Sequence, residues 1–339
     1  MSDESIGIGP MKLRVESEKW PLRSPFRITH HTFETSDVVV VTLEKEGALG
    51  RGEAAGVYYR GDDITAMMRQ IESVRRRVEA GIARSSLQAV LPPGGARNAL
   101  DCALWDLEAK VVGRPAWELA GLDRPAPLLT TFTCGADTPD RMAETALSYV
   151  NARAIKLKLT GEPQDVDRVR AVRAARPDVW LGVDANQGFT RPFLDQVMPL
   201  LVESRVELIE QPFPVGQDTL LEGFRSPIAI AADESAQSLV DVAGLASRFQ
   251  VINIKLDKCV GLTEALAMAR AARALGLQTM VGNMIGTSLA TAPAFLLGQL
   301  CKVVDLDGPL FLRDDRAVPV RYVDGLVTCP DEVWGGAAR

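Results

Sequence analysis

The sequence predicts an α/β chain, a closed (β/α)8 barrel (a modified TIM barrel) preceded by an α+β portion. From about residue 128, short β-branched runs alternate with helical segments, the pattern of strand–helix units. There are eight such runs, and from the second onward their ends recur every 22–28 residues, the length of one strand, one helix and two loops. An open doubly wound sheet is the competing architecture, but it announces itself with a glycine-rich first turn that this chain lacks.

Residues 11–19 alternate apolar and polar, as a half-buried strand does. Residues 37–45, centred on Val38-Val39-Val40-Val41, form a second strand, and Gly47–Gly50 turns into a third ending near Glu53, giving an antiparallel meander. Arg23 to His31 reads as a loop, as does Ala54 to Gly61 with Tyr58, Tyr59 and Arg60. Helices follow over about 62–80 and about 95–112, where Ala99, Ala103, Leu107 and Val111 keep helical spacing until Gly113-Arg114-Pro115 stops them. The eight runs are Thr130–Cys134, Ala154–Lys158, Trp180–Asp184, Val206–Glu210, Ile228–Asp233, Val251–Leu256, Thr279–Asn283 and Val303–Asp307.

Composition narrows the function classes. The chain has 339 residues, 47% hydrophobic and 24% charged, an ordinary globular balance. Its net charge is -6 and its longest basic run is Arg75–Arg77, which argues against nucleic acid as a partner. No apolar run approaches the roughly 18 residues of a membrane span, and Met1–Ser5 lacks a signal-peptide pattern. Five scattered cysteines without CxxC spacing fit reduced thiols in a cytoplasm. With only His30 and His31 available, a Ser-His-Asp triad or a His-rich zinc site is hard to build. Acid–base chemistry must therefore use other side chains.

Those side chains stand at the run ends. Lys156 and Lys158 end the second run, Asp184 the third, Glu210 the fourth and Asp233 the fifth; the sixth carries Lys255, and the eighth ends Asp305-Leu306-Asp307. In a barrel, strand C-termini converge on one mouth. Buried charge there must be paired or metal-bound, and three carboxylates on consecutive strands form the oxygen-ligand set that Mg²⁺ favours. Each residue also has an ordinary use: Asp184 as a turn former, Glu210 as a strand-ending charge, Asp233 as a helix cap, Lys255 in a structural pair. Their phase with the eightfold repeat favours a shared site. Lys156 and Lys158, at i and i+2, face one way about 7 Å apart. Mutual repulsion and burial are expected to lower their pKa from about 10.4 toward neutrality. Asp305 and Asp307, likewise at i and i+2, are expected to share a face and invite a cation.

Ile155-Lys156-Leu157-Lys158, Val183-Asp184-Ala185-Asn186-Gln187-Gly188, Ile209-Glu210-Gln211-Pro212, Ala232-Asp233-Glu234-Ser235 and Asn253-Ile254-Lys255-Leu256-Asp257-Lys258 together resemble the enolase superfamily, in its muconate lactonising subgroup. The resemblance covers nearly the whole chain. It implies an N-terminal capping domain over residues 1–125, completed by 312–339, and a catalytic barrel over 126–311. It implies one Mg²⁺ on Asp184, Glu210 and Asp233, acid–base lysines at Lys158 and Lys255, Lys156 as the neighbour that tunes Lys158, and Asn186 and Glu234 around them. Asp305-Leu306-Asp307-Gly308-Pro309 resembles the element with which dipeptide epimerases hold a substrate ammonium, and Arg97–Leu107 resembles the capping helix of bacterial Ala-Glu epimerases. Those enzymes place an arginine late in the first capping loop. Here the positions read His30, His31, Thr32 and Phe33; either Arg27 and Arg60 substitute, or the preference is for a more apolar dipeptide than Ala-Glu.

The implied activity is inversion of a dipeptide's C-terminal α-carbon through an enediolate, with loops 23–33 and 54–61 closing over the mouth. The alternatives are an o-succinylbenzoate synthase, N-acyl amino acid racemase or muconate cycloisomerase, and, in another class, a non-catalytic ligand-binding barrel. The expected partner is a small dipeptide, with neither nucleic acid nor membrane. A homo-oligomer is compatible with such barrels, although no stretch identifies an interface.

Overall fold

The structure, a computed structural model, describes residues 8–28, 31–259 and 261–337. Met1–Ser5 and His30, which the sequence reading used, lie outside the described residues. Strands β1 (Lys12–Ile28), β2 (His31–Lys45) and β3 (Ala48–Ala54) form the antiparallel meander in that order. Helices α1 (Ile64–Glu79), α2 (Arg84–Val90) and α3 (Gly95–Val112) follow. Asp63 caps α1 by accepting from the Ala66 amide at 2.8 Å. Helix α3 is buried on nearly every side, because one face packs on β2 and β3 while the other meets the barrel.

The expected loop Arg23–His31 is corrected. β1 runs on to Ile28 and pairs with β2 to the tip, Phe26 opposite Phe33 and Arg27 opposite Thr32. A register break between Pro21 and Phe26 hides the strand from any period-2 reading, since it shifts the alternation partway along. The short helix α2 had no sequence expectation.

Strand β4 (Leu128–Leu129) joins β13 (Arg321–Val323) and β14 (Leu326–Thr328) in a small antiparallel sheet. The barrel strands are β5 (Phe132–Cys134), β6 (Ala154–Lys158), β7 (Trp180–Asp184), β8 (Val206–Glu210), β9 (Ala229–Ala232), β10 (Val251–Lys255), β11 (Gln278–Gly282) and β12 (Val303–Asp305). They pair in parallel in sequence order as one eight-stranded sheet. Among the described residues no ladder joins β12 to β5. The seam closes through the Thr131 amide to Val304 O at 2.9 Å, the Leu306 amide to Thr130 Oγ1 at 2.9 Å, and the Thr133 amide to Asp307 Oδ2 at 2.6 Å. Not every unit keeps a full helix. Between β8 and β9 there is only a 3-10 turn, Asp218–Leu221, because Pro212, Pro214, Gly216 and Gly223 break the segment.

Ile155 and Leu157 of β6 point outward into the main core, which leaves Lys156 and Lys158 facing the barrel interior. Leu208, Ala231, Val251 and Met280 form a separate apolar cluster, with Trp180, Ala229 and Val303 packed against it. The C-terminal segment touches both parts. Arg316 reaches Glu53 of β3 at 2.7 Å, the Arg313 amide bonds Pro21 O at 2.9 Å, and Trp334 Nε1 bonds Arg51 O at 2.9 Å. Among the described residues no helix is long and apolar enough to cross a membrane.

Candidate active site

Strand register builds the site. Lys158 pairs with Asp184, and Asp184 with Glu210, so three charged side chains stand at one level of the barrel. Glu210 pairs with Ala231, which carries Asp233 two residues past its level. On the far side, Lys255 pairs with Gly282 and Gly282 with Asp305. A Cβ on Gly282 would lie 2.9 Å from Lys255 Cε, so the glycine leaves that lysine its room. Lys158 on β6 and Lys255 on β10 are four strands apart in a ring of eight, hence on opposite sides.

Asp184, Glu210 and Asp233 are buried, and each offers an oxygen within 4.8 Å of the others'. The set is all carboxylate oxygen with three formal negative charges, which fits a hard divalent cation such as Mg²⁺. Lysines surround it. Lys158 Nζ lies 2.5 Å from Asp184 Oδ2 and Lys255 Nζ 2.7 Å from Asp233 Oδ2. Asn186 donates to Asp184 Oδ1 through its amide at 2.9 Å and to Glu234 Oε1 through its side chain at 3.5 Å. Asn186 Oδ1 and Glu234 Oε2 are buried without a protein partner, and both residues line the cavity between the lysines. Such unpartnered oxygens fit a site built for a polar occupant.

For Lys156 the expected lowering is corrected. Lys156 does not face Lys158 as a bare cation. It pairs with Asp305 and lies 3.3 Å from Glu210 and 3.7 Å from Asp184. Burial alone would lower its pKa, but Asp305, Glu210 and Asp184 together outweigh that and hold it above the ordinary value. Lys255 is likewise held up, its burial outweighed by Asp233 and Glu210. Among the acids, burial and Asp184 push Glu210 up to about 8. Burial and Asp233 push Glu234 up to about 7. Asp233 itself is held down despite its burial, by Lys255 and Lys258.

The expected Asp305–Asp307 pair is corrected as well. β12 ends at Asp305, and Asp307 sits at φ −99°, ψ 6°, off the strand, so the two do not share one strand face. Asp305 is committed to Lys156 and Thr131, whereas Asp307 accepts from the Thr133 amide, and its carboxyl is lifted to about 7 by burial and by Asp305.

Phe33, Tyr58, Tyr59, Phe26 and Ile28 roof a cavity of about 80 Å³ that contains Lys158 and Lys255. His31 stacks on Tyr58 at 4.9 Å, and Phe33 meets the same ring edge-on at 5.4 Å. The proposed substitute arginines are not in that cavity. Arg27 lines a separate groove with Thr133 and Tyr149, and Arg60 is exposed at the end of the Tyr58–Arg60 turn.

Three further residues had no role in the sequence reading. Asn253 donates to Glu210 Oε1 at 2.7 Å, fully buried Lys258 pairs with Asp233, and Gln211 Oε1 accepts from the Asp233 and Ser235 amides at 2.9 and 3.1 Å. Period 2 could have flagged Asn253, which shares a strand face with Lys255. Lys258 and Gln211 follow the strands and depend on tertiary turns that no period reveals.

The comparisons agree with this architecture. Residues 11–121 match the N-terminal domain model of the mandelate racemase/muconate lactonizing enzyme family, and residues 141–335 match the enolase C-terminal domain-like model. The chain is similar to the L-Ala-D/L-Glu epimerase of Escherichia coli, 40% identical with 92% of this chain and 98% of that protein covered. It is also similar to an N-acetyl-D-glutamate racemase of Pseudoalteromonas sp., 39% identical over 88% and 95%. Among solved structures, an enolase family member from Agrobacterium tumefaciens with homology to dipeptide epimerases, bound to sodium and L-Ala-L-Glu, superposes with a TM-score of 0.93 at 42% identity, covering 96% of this chain and all of that one. The chain therefore belongs to the mandelate racemase/muconate lactonizing enzyme branch of the enolase superfamily, alongside its dipeptide epimerases.

Proposed function

We propose that this chain is a Mg²⁺-dependent dipeptide epimerase that inverts the α-carbon of the C-terminal residue by 1,1-proton transfer. The observation that carries the reading is the pair Lys158 and Lys255 on opposite sides of one cavity, flanking three buried carboxylates. Two bases on two faces suit removal of a proton from one side and its return from the other, and serve no purpose in hydrolysis. Asp184, Glu210 and Asp233 hold the cation, and Asn186 and Glu234 fix the surroundings of Asp184. Bound there, Mg²⁺ would supply Lewis-acid stabilisation of the charge that develops on the substrate carboxylate.

Lys158 takes the α-proton of one epimer and Lys255 that of the other, with roles exchanged in the reverse direction. Lys156 neutralises Asp305 and the inner carboxylates, which leaves Asp307 to meet the substrate ammonium with Asp305 behind it. An ammonium beside Asp307 favours its ionised form. The ring of Phe33, Tyr58 and Tyr59 suits neutral or apolar C-terminal side chains. The domain boundary at 125/126, with 312–339 completing the cap, a cytoplasmic location and a homo-oligomeric assembly belong to the same reading. One further activity has a specific support, the similarity to an N-acetyl-D-glutamate racemase. The same lysines would serve it, with no ammonium to hold.

Mass gain of dipeptides in D₂O with Mg²⁺ tests the proposal, followed by kcat/KM for Ala-Glu, Ala-Phe and their N-acetyl forms. N-acetylation strands Asp307 without a cation and should lower kcat/KM at least about tenfold, since charge-assisted bonds contribute about 1.5–3 kcal/mol. Better turnover of the acetylated compounds would move the assignment to an N-acyl racemase. Full activity in excess EDTA would remove the metal from it.

A further inference from the structure

The segment that follows Lys255 has a second use that the proton-transfer scheme leaves open. Leu256–Cys259 is one helical turn leaving β10. Lys258 turns back beneath Asp233, whereas Asp257 turns the other way, toward the capping domain. Asp257 is 6% exposed, and its Oδ1 accepts from the Gly56 amide at 3.0 Å. The Ala55 amide and the Asn98 side chain of α3 stand close enough to favour its ionised form. The barrel and the loop after β3 are thus joined through one carboxylate.

That loop is a closed turn. Val57 O accepts from the amides of Arg60 at 2.9 Å and Asp62 at 3.3 Å. Gly56 has φ +75°, and a Cβ there would lie 2.1 Å from Asp62 O, so the two ends of the turn are pressed together. Asp62 Oδ2 then accepts from the Gly95 amide at 2.6 Å, at the start of α3. Between these two anchors stand Tyr58 and Tyr59, the rings over the reaction cavity.

We propose that Asp257 is a positioning residue that ties this capping loop, and with it Tyr58 and Tyr59, to the strand end carrying Lys255. The loop that reads the substrate side chain and the base that handles the α-proton then share one rigid support, two residues apart on the chain. The inference rests on the epimerase reading for its kinetic consequence but not for the tie itself. Burial lifts Asp257 up to about 7, with Asp62 adding to the rise. An asparagine keeps one acceptor oxygen and puts an NH₂ where the second carboxylate oxygen stood, so it holds the Gly56 amide less securely.

The test compares wild type, Asp257→Asn and the milder Asn98→Ala, which removes the α3 side chain beside Asp257 and keeps the proposal testable should the first variant not fold. Amide hydrogen exchange reads the tie directly. Gly56 and its neighbours through Asp62 should lose about tenfold or more of their protection in Asp257→Asn, while the middle of α3 keeps its own. Kinetically, KM for a dipeptide with a large C-terminal side chain should rise about tenfold, kcat should change less than about threefold, and the ratio of kcat/KM between large and small side chains should shrink toward one. Tyr58→Ala should reproduce the loss of selectivity with Asp257 intact. Unchanged loop protection, or a fall in kcat with KM and the ratio unmoved, would overturn the proposal. Loop release in a protein whose wild type epimerises no dipeptide would leave the tie standing and refute the epimerase reading instead.

Discussion

Replacing Lys156 by methionine puts the electrostatics of the barrel interior to a quantitative test. The side chain is nearly buried, and its ammonium stands among Asp305, Glu210 and Asp184. At the 3.3 Å separation from Glu210, one such pair amounts to about 5 kcal/mol before desolvation, with an effective dielectric of about 20. Desolvation takes back several kcal/mol per ion, so the net loss on breaking a buried pair is about 3–5 kcal/mol. Methionine fills a similar volume, which keeps a cavity term small. We therefore expect Lys156→Met to lose about 3–5 kcal/mol of unfolding free energy at pH 7.5 in EDTA, read from urea denaturation midpoints at constant slope. Without the lysine, Asp305 and Glu210 titrate at higher pH in the folded state, so the deficit shrinks as the pH falls. Asp305→Asn removes one of the stranded anions, and the double variant should recover at least about 1 kcal/mol relative to additivity. A single variant within about 0.5 kcal/mol of wild type, the range of an inert surface change, would refute this account of the interior.

Two further outcomes are expected. With Lys158→Ala, one epimer should still exchange its α-proton in D₂O through Lys255 while conversion stops, and with Lys255→Ala the other epimer should do so; a loss of epimerisation below about a hundredfold in both would reject the two-base scheme. Asp101, fully buried and bonded to Thr263, has its carboxyl lifted from 3.8 to about 6 by burial. A raised folded-state pKa gives stability that is full below about pH 4 and is lost as the pH rises through about 6, by about 3 kcal/mol here. Asp101→Asn should therefore gain on wild type by up to that amount between pH 4 and pH 7 in denaturant titrations, and a pH-independent difference would count against it.

The sequence revealed most where it violated its own pattern. Lys156, Asp184, Glu210 and Lys255 end β-branched runs that otherwise ask for burial, and the phase of those violations around eight strands located the cavity. The carboxylate triad was legible for that reason, since each strand states its own end locally. What depended on neighbours was not. The sign of the shift at Lys156 turned on three acids from other strands, one of them about 150 residues away. The β1 tip was hidden by a register break that disrupts alternation, and the Asp305–Asp307 spacing suggested one strand face although the strand stops between them. Gln211 and Lys258 carry polar contacts that only the turns after β8 and β10 create.

The seam between β12 and β5 constrains how such an enzyme can change over evolutionary time. Asp305 and Asp307 accept bonds from Thr131 and from the Thr133 amide, the contacts that shut the barrel. Drift at those two positions would be punished as instability before it could be tried as a new specificity. Among the described residues, Phe33, Tyr58 and Tyr59 hold no such bonds, standing on a hairpin and a turn outside the barrel wall. Relatives that differ in the side chain they accept should therefore vary first in that roof, while the seam stays as inherited.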